Sequence, residues 1–165
     1  MAVNIALRLG SALLWLAAGF AQRSRAPLAI TISPSSDGIS VGGDEFKAGA
    51  GVRVIVTLTN VSNRDVTLHL TSPMCDYAVE VRDSTGGLAR DTEHKRTANC
   101  SGRTLGRNVY EIVRPNESAE DVINVSRMSD VSQPGKYLVQ VMLKLPEEPG
   151  HVVVNSNTIT ITVMP

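Results

Sequence analysis

Aromatic residues are scarce in this chain, at 4% of the sequence, and neither sign of charge prevails, since 16 Lys+Arg stand against 16 Asp+Glu. A balanced charge removes the main electrostatic argument for a nucleic-acid or anionic-membrane partner. Few aromatics leave little for stacking single-stranded bases. Cysteine is limited to Cys75 and Cys100, which make at most half of a structural zinc set. There is no Asp-x-Asp-x-Asp-Gly loop, so calcium-loop chemistry lacks its signature. What remains is a hydrophobic fraction of 42% in 165 residues, enough for the core of one ordinary domain.

The first 21 residues differ in kind from the rest. Arg8 supplies a positive start, the run from Ser11 to Phe20 is uncharged and apolar, and Gly19 and Ala21 are the small residues of a cleavage site. That order is the order of a secretory signal peptide. A spanning helix needs about 20 apolar residues, and Arg8 limits the uninterrupted run to little more than half of that. The expected organisation is therefore a signal peptide over 1–21, a short leader over 22–27 and one domain over 28–165, with no integral membrane segment in the mature chain. Cleavage after Ala21 removes Arg8 and leaves 15 basic against 16 acidic residues. The expected location is periplasmic or extracellular.

Export changes the meaning of the two cysteines. Oxidising surroundings favour a bridge between Cys75 and Cys100, with two buried thiols or an intermolecular bond as the alternatives. Closing a loop of that length stabilises a fold by roughly 3 kcal/mol on the chain-entropy account.

From Leu28 onward the dominant hydrophobic period is two. It runs through Leu28, Ile30 and Ile32; Val52, Val54, Val56 and Leu58; Val66, Leu68 and Leu70. It resumes in Tyr77, Val79 and Val81; Tyr137, Val139, Val141 and Leu143; and Ile159, Ile161 and Val163. Each is the pattern of a strand with one face on a core and the other in water. Shorter runs at Asn108–Val113 and Asp121–Val125 add to the count. Turn residues separate the strands, as in Gly42-Gly43-Asp44, Gly86-Gly87 and Pro134-Gly135. The expected fold is all-β: an immunoglobulin-like antiparallel sandwich of seven to nine strands. Pro134-Gly135-Lys136-Tyr137 leads from a turn straight into a strand that opens on Tyr137, the pattern of a tyrosine corner, against the plainer reading of a core tyrosine. The least regular stretch, from Arg82 to Arg107, reads as a long polar connection pinned by Cys75–Cys100.

The order of several motifs is familiar. Phe46-Lys47-Ala48-Gly49 precedes a strand ending Thr57-Leu58-Thr59-Asn60, and Tyr77-Ala78-Val79-Glu80-Val81-Arg82-Asp83 follows. Then come Val113-Arg114-Pro115-Asn116-Glu117-Ser118, Asp130-Val131-Ser132-Gln133-Pro134-Gly135-Lys136-Tyr137 and Ser156-Asn157-Thr158-Ile159-Thr160-Ile161. This series resembles the immunoglobulin-like domain that precedes the catalytic part of secreted lysine-specific metalloendopeptidases, and also the β-sandwich of the intracellular proteinase inhibitor family. The resemblance implies a fold over nearly all of the mature chain. It does not carry zinc-protease activity, because no His-Glu-x-x-His occurs. The inhibitor family acts inside cells, whereas this chain reads as exported. Asn116 stands where such a turn usually has Gly, a replacement that Asn tolerates because it can take left-handed backbone angles.

No catalytic, metal or cofactor set is assigned. His69 falls on the polar phase of its strand, His94 and His151 read as loop residues, and no pair of them has a ligand spacing. Asp83, Asp91, Glu93, Asp130 and Glu147-Glu148 offer oxygen but no calcium-loop pattern, so they read as solvated charge. One local excess of charge stands out. Arg90, Lys95, Arg96, Arg103 and Arg107 against Asp91 and Glu93 make residues 90–107 net +3, a candidate partner-binding loop. Four sequons, at Asn60, Asn99, Asn116 and Asn124, are glycan acceptors only in a eukaryotic secretory setting. The expected function is an exported, non-catalytic module that binds another protein or an envelope component through loops 82–107 and 144–157. The alternative is a protease inhibitor that presents the Arg90–Arg107 segment to a protease cleft.

Overall fold

The computed structural model describes residues 26–35, 40–42, 44–98, 100, 109–147 and 150–165. The expected signal peptide and most of the leader, 1–25, lie outside the described residues, as do Arg103 and Arg107.

Eleven strands and two short helices form among the described residues. They run β1 (Leu28–Pro34), β2 (Ser40–Gly42), β3 (Glu45–Lys47), β4 (Arg53–Asn60), β5 (Val66–Leu70), α1 (Pro73–Asp76), β6 (Tyr77–Asp83) and α2 (Glu93–Thr97). Then follow β7 (Val109–Val113), β8 (Ser118–Asn124), β9 (Gly135–Glu147), β10 (Gly150–Asn155) and β11 (Ile159–Met164). The all-β sandwich expected from the period-two pattern is what forms. The strand number exceeds seven to nine because two strands are only three residues long and because β10 was read as part of a loop.

One sheet is antiparallel, in the order β1-β4-β8. The other is built on the long strand β9. Strand β6 pairs along one edge of β9, from Tyr77 opposite Leu143 to Asp83 opposite Tyr137. Two strands share the other edge: β11 opposite 135–139 and β10 opposite 142–147. Ser156 stands at the switch between them. Its N–H donates to the Val141 carbonyl at 2.8 Å and its hydroxyl accepts from Val141 N–H at 2.9 Å, so the ladder continues across the gap. Beyond β11 the sheet adds β3, in parallel pairing, and then β2. Strands β5 and β7 form a separate two-stranded ribbon.

The inner faces are those that the alternation marked. Ile30, Ile32, Val54, Val56, Leu58 and Ile123 from the first sheet are buried together with Phe46, Val79, Val81, Val139, Val141 and Ile161 from the second. Each fully buried aliphatic side chain of this size contributes about 1.5–3 kcal/mol of transfer free energy.

Two side chains join elements where the ladders stop. At the top of β4, Asn60 is fully buried, and its carboxamide nitrogen donates to the carbonyls of Arg64 and Val113, both at 2.8 Å. Its oxygen accepts from the Ser62 N–H and hydroxyl. This one amide lets the chain leave the β4–β8 sheet and re-enter as the β5–β7 ribbon without orphaned polar groups. The returning turn places Asn116 at φ 66°, the left-handed geometry that Asn supplies in place of Gly, and its N–H donates to the Asn60 carbonyl. At the start of β9, the Tyr137 hydroxyl donates to the Gln133 carbonyl four residues upstream at 2.9 Å, the bond that a tyrosine corner makes. Burial, with the charges of Asp130 and Asp83, pushes that phenol up from its ordinary value.

Candidate binding surface

The sequence marked residues 82–107 as an irregular loop, and its described part is more ordered than that. Residues 83–87 make a tight turn in which one Asp83 oxygen accepts from the N–H and hydroxyl of Thr85 and from Gly87 N–H. Those bonds hold the Asp83 carboxyl below the usual carboxylate range. Gly86 provides the positive φ, 86°, that the turn requires. Downstream, Arg90 O accepts from Asp130 N–H, Thr92 N–H donates to Met128 O, and the Thr92 hydroxyl donates to Arg127 O. Thr92 also caps α2 by accepting from Lys95 N–H. His94 therefore lies in a helix and not in a loop, and it is exposed.

The basic residues of this segment are not gathered into one field. Lys95 is paired with Asp91 at 2.7 Å, Arg90 is exposed and faces Asp130, and Arg96 is exposed on α2. Over 90–98 three basic residues meet two acidic ones, Asp91 and Glu93. Ser132 binds the Asp130 carboxylate and holds its carboxyl low. Residues 90–98 thus form a capped helical turn tied to the β8–β9 connection. Cys100 is bonded to Cys75, with 5.4 Å between their Cα atoms, so the end of this segment is fixed beside α1.

The second expected loop, 144–157, is a hairpin instead. Strand β9 continues to Glu147 and β10 returns from Gly150 to Asn155, with Val153 exposed on it. His151 lies in that strand.

The surface that stands out in three dimensions is the β5–β7 ribbon and the cleft beneath it. Register places His69 opposite Tyr110 and Thr67 opposite Ile112 on the outward face. Tyr110 is 70% exposed and Ile112 62% exposed. The His69 ring stacks on Tyr110 with centroids 4.5 Å apart and 8° between planes. Leu68 and Val113 on the inward face are buried, which anchors the ribbon to the body.

Between ribbon, α1 and β8 lies an open cleft of about 370 Å³. Leu70 and Pro73 form part of its apolar lining, and Asp76, Glu111, Glu120 and Asp121 bring four carboxylates to it. Asp121 pairs in register with Val56, so it sits on the core-facing side of β8, at the sheet's unpaired edge. Burial raises its carboxyl above the ordinary range and the charges of Asp76 and Glu111 add to the shift, while the Val122 N–H and the Tyr77 hydroxyl oppose it. Facing it across the sandwich is Tyr77, 3% exposed, whose buried hydroxyl interacts with the Asp121 carboxylate. Burial, then the charges of Asp121 and Asp76, push that phenol far above its ordinary value. Asp76 accepts from the N–H and hydroxyl of Thr71. Among the described residues, no salt bridge reaches any of the four carboxylates.

None of these four acids was singled out in the sequence, where they stand at 76, 111, 120 and 121 without a motif. Only the inward phase of Asp121 on an otherwise apolar strand face could have marked it. Among the described residues, no group of three or more His, Cys, Asp or Glu side chains is placed to hold a metal ion. No helix among them is long and apolar enough to cross a membrane. The Asn60 sequon has its carboxamide buried and fully hydrogen-bonded, so a glycan there is incompatible with the fold.

No protein-family model matches the sequence, and no curated protein does. Among solved structures the chain is similar to one described as the X-ray structure of Northeast Structural Genomics Consortium target SoR45. The TM-score is 0.47 and the identity 10%, over 83% of this chain and 87% of that one.

Proposed function

We propose that this chain is an exported, non-catalytic β-sandwich module that binds another protein or a component of the cell envelope. The observation that carries the reading is the outward face of the β5–β7 ribbon, where Tyr110 and Ile112 are 70% and 62% exposed. An aromatic and a branched aliphatic residue, held side by side on a rigid ribbon, offer contact area at small entropic cost, which is what interface anchors do. The disulfide and the signal-peptide pattern over 1–21 support export. In this reading the ribbon's outward face joins loops 82–107 and 144–157 as a candidate binding surface.

The test is affinity capture from an envelope fraction with the purified chain and with a Tyr110→Ser/Ile112→Ser variant, both checked for native melting. Both side chains are on the outside, so the variant folds. Partner retained by the native chain and lost by the variant is the expected outcome. Equal capture by both removes the ribbon from the reading.

A further inference from the structure

The two halves of the disulfide do not meet solvent equally. Cys100 is exposed, whereas Cys75 is half-buried on α1. The bond joins residues 25 apart in the chain, and the sequence holds no third cysteine to compete for either sulfur. A disulfide is opened by an incoming thiolate, which attacks one sulfur while the other leaves. Which sulfur is attacked depends on access and on how well the surroundings of the other receive the departing charge.

Access favours attack at Cys100, and the departing charge favours the same direction. Cys75 borders an open cleft of about 320 Å³ between β5, α1, β6 and β9, where His69 and Lys144 also stand. Lys144 is exposed and forms no salt bridge among the described residues. A cation there stabilises a thiolate left on Cys75. Asp76, the next residue in the chain and part of the same wall, acts the other way. Its carboxylate already accepts from the Thr71 N–H and hydroxyl, which disperse part of its charge.

We infer that Cys100 is a thiol-exchange site, where a low-molecular-weight thiol becomes bound to the chain as a mixed disulfide. The incoming thiolate forms a bond to Cys100 Sγ as the bond between Cys100 and Cys75 breaks. The electron pair of the broken bond leaves on Cys75 Sγ. One disulfide and one thiolate replace another such pair, so the step needs neither oxidant nor reductant beyond the thiol itself. The Cys75 thiolate remains in the cleft with Lys144 and His69 and can return to expel the thiol, which makes the modification reversible. While it lasts, the chain beyond α2 is untied from α1.

The test is anaerobic incubation of the native chain with glutathione at mildly alkaline pH, then quenching, alkylation with N-ethylmaleimide and peptide mapping by mass spectrometry. Glutathione on Cys100 with N-ethylmaleimide on Cys75 is expected to exceed the reverse pattern by about fivefold or more. The reaction should proceed in the folded chain, faster than exchange of the β9 amides, which reports global opening. Lys144→Gln alters an exposed side chain, so it should slow the exchange several-fold and leave the melting temperature unchanged. Equal amounts of glutathione on the two cysteines, a preference for Cys75, or opening no faster than global exchange would each overturn the inference. So would a Lys144→Gln rate equal to that of the native chain.

Discussion

Asn157 holds Ile32 by both of that residue's backbone polar groups. Ile32 N–H donates to the Asn157 carboxamide oxygen at 2.8 Å, and the carboxamide nitrogen donates to the Ile32 carbonyl at 3.1 Å. Ile32 lies on β1, the outer strand of the first sheet, whereas Asn157 precedes the last strand of the second. One side chain thus imitates a strand, closes part of an open edge and ties the two sheets together.

Asn157→Ala should therefore destabilise the domain by about 1–2 kcal/mol, since two backbone groups lose their partner and water replaces it only in part. Urea unfolding reads this directly. A midpoint equal to that of the native chain would mean that the bridge carries no net stability.

Asn60 has more partners and no solvent. Asn60→Ala leaves the Arg64 and Val113 carbonyls and the Ser62 N–H to find others, and should cost roughly 3 kcal/mol. Because the ribbon hangs on this amide, hydrogen exchange in Val66–Leu70 should accelerate more than in β9. Uniform acceleration across both strands would contradict the local role.

The Tyr137 hydroxyl spans a single turn. Tyr137→Phe keeps the ring in the core and removes one bond to Gln133, for an expected loss of about 1 kcal/mol in thermal or chemical melts. A loss several times larger would indicate that the phenol supports more than this corner.

Reduction of Cys75–Cys100, or Cys75→Ser with Cys100→Ser, should lower stability by roughly 3 kcal/mol through the freed loop.

Stability should depend on pH through Asp121. Its carboxyl is raised in the fold by burial, with the charges of Asp76 and Glu111 contributing against the opposing Val122 N–H and Tyr77 hydroxyl, and Glu120 lines the same cleft. Between the ordinary carboxylate range and the raised value the folded state holds more protons than the unfolded one. Stability therefore falls as pH rises through that window and stays lower above it. Asp121→Asn should melt higher than the native chain at pH 7, and the advantage should vanish near pH 3, where both side chains are neutral. An advantage that persists unchanged at acid pH would assign it to something other than charge.

The sandwich was legible because burial alternates. Val54, Val56 and Leu58 are buried while Arg53 is exposed, and Tyr137, Val139 and Val141 repeat the pattern across the sheet. Strands β2 and β3 were not legible, since three residues contain no period to read. The hairpin strand β10 was missed for a different reason: Val152-Val153-Val154 is a continuous apolar run without the alternation that marked the other strands. The site was the least legible part. Asp76, Glu111, Glu120 and Asp121 become neighbours only through the pairing of β4 with β8 and of β5 with β7, which is long-range and has no local signature. The basic loop was conspicuous in sequence for the opposite reason, because its charges are adjacent in the chain, yet Asp91 and Asp130 answer two of them in space.

The parallel pairing of β3 with β11 bears on how the domain responds to tension. Glu45, Phe46 and Lys47 lie beside Thr162, Val163 and Met164 with the two strands running in the same direction. A pull applied before β3 and after β11 draws these strands past each other along their length. Their hydrogen bonds then share the load and must fail together, where an antiparallel hairpin such as β9–β10 peels open one bond at a time. A module fixed to an envelope at one end and to a partner at the other would meet such forces, and this short parallel splice is where it would resist them.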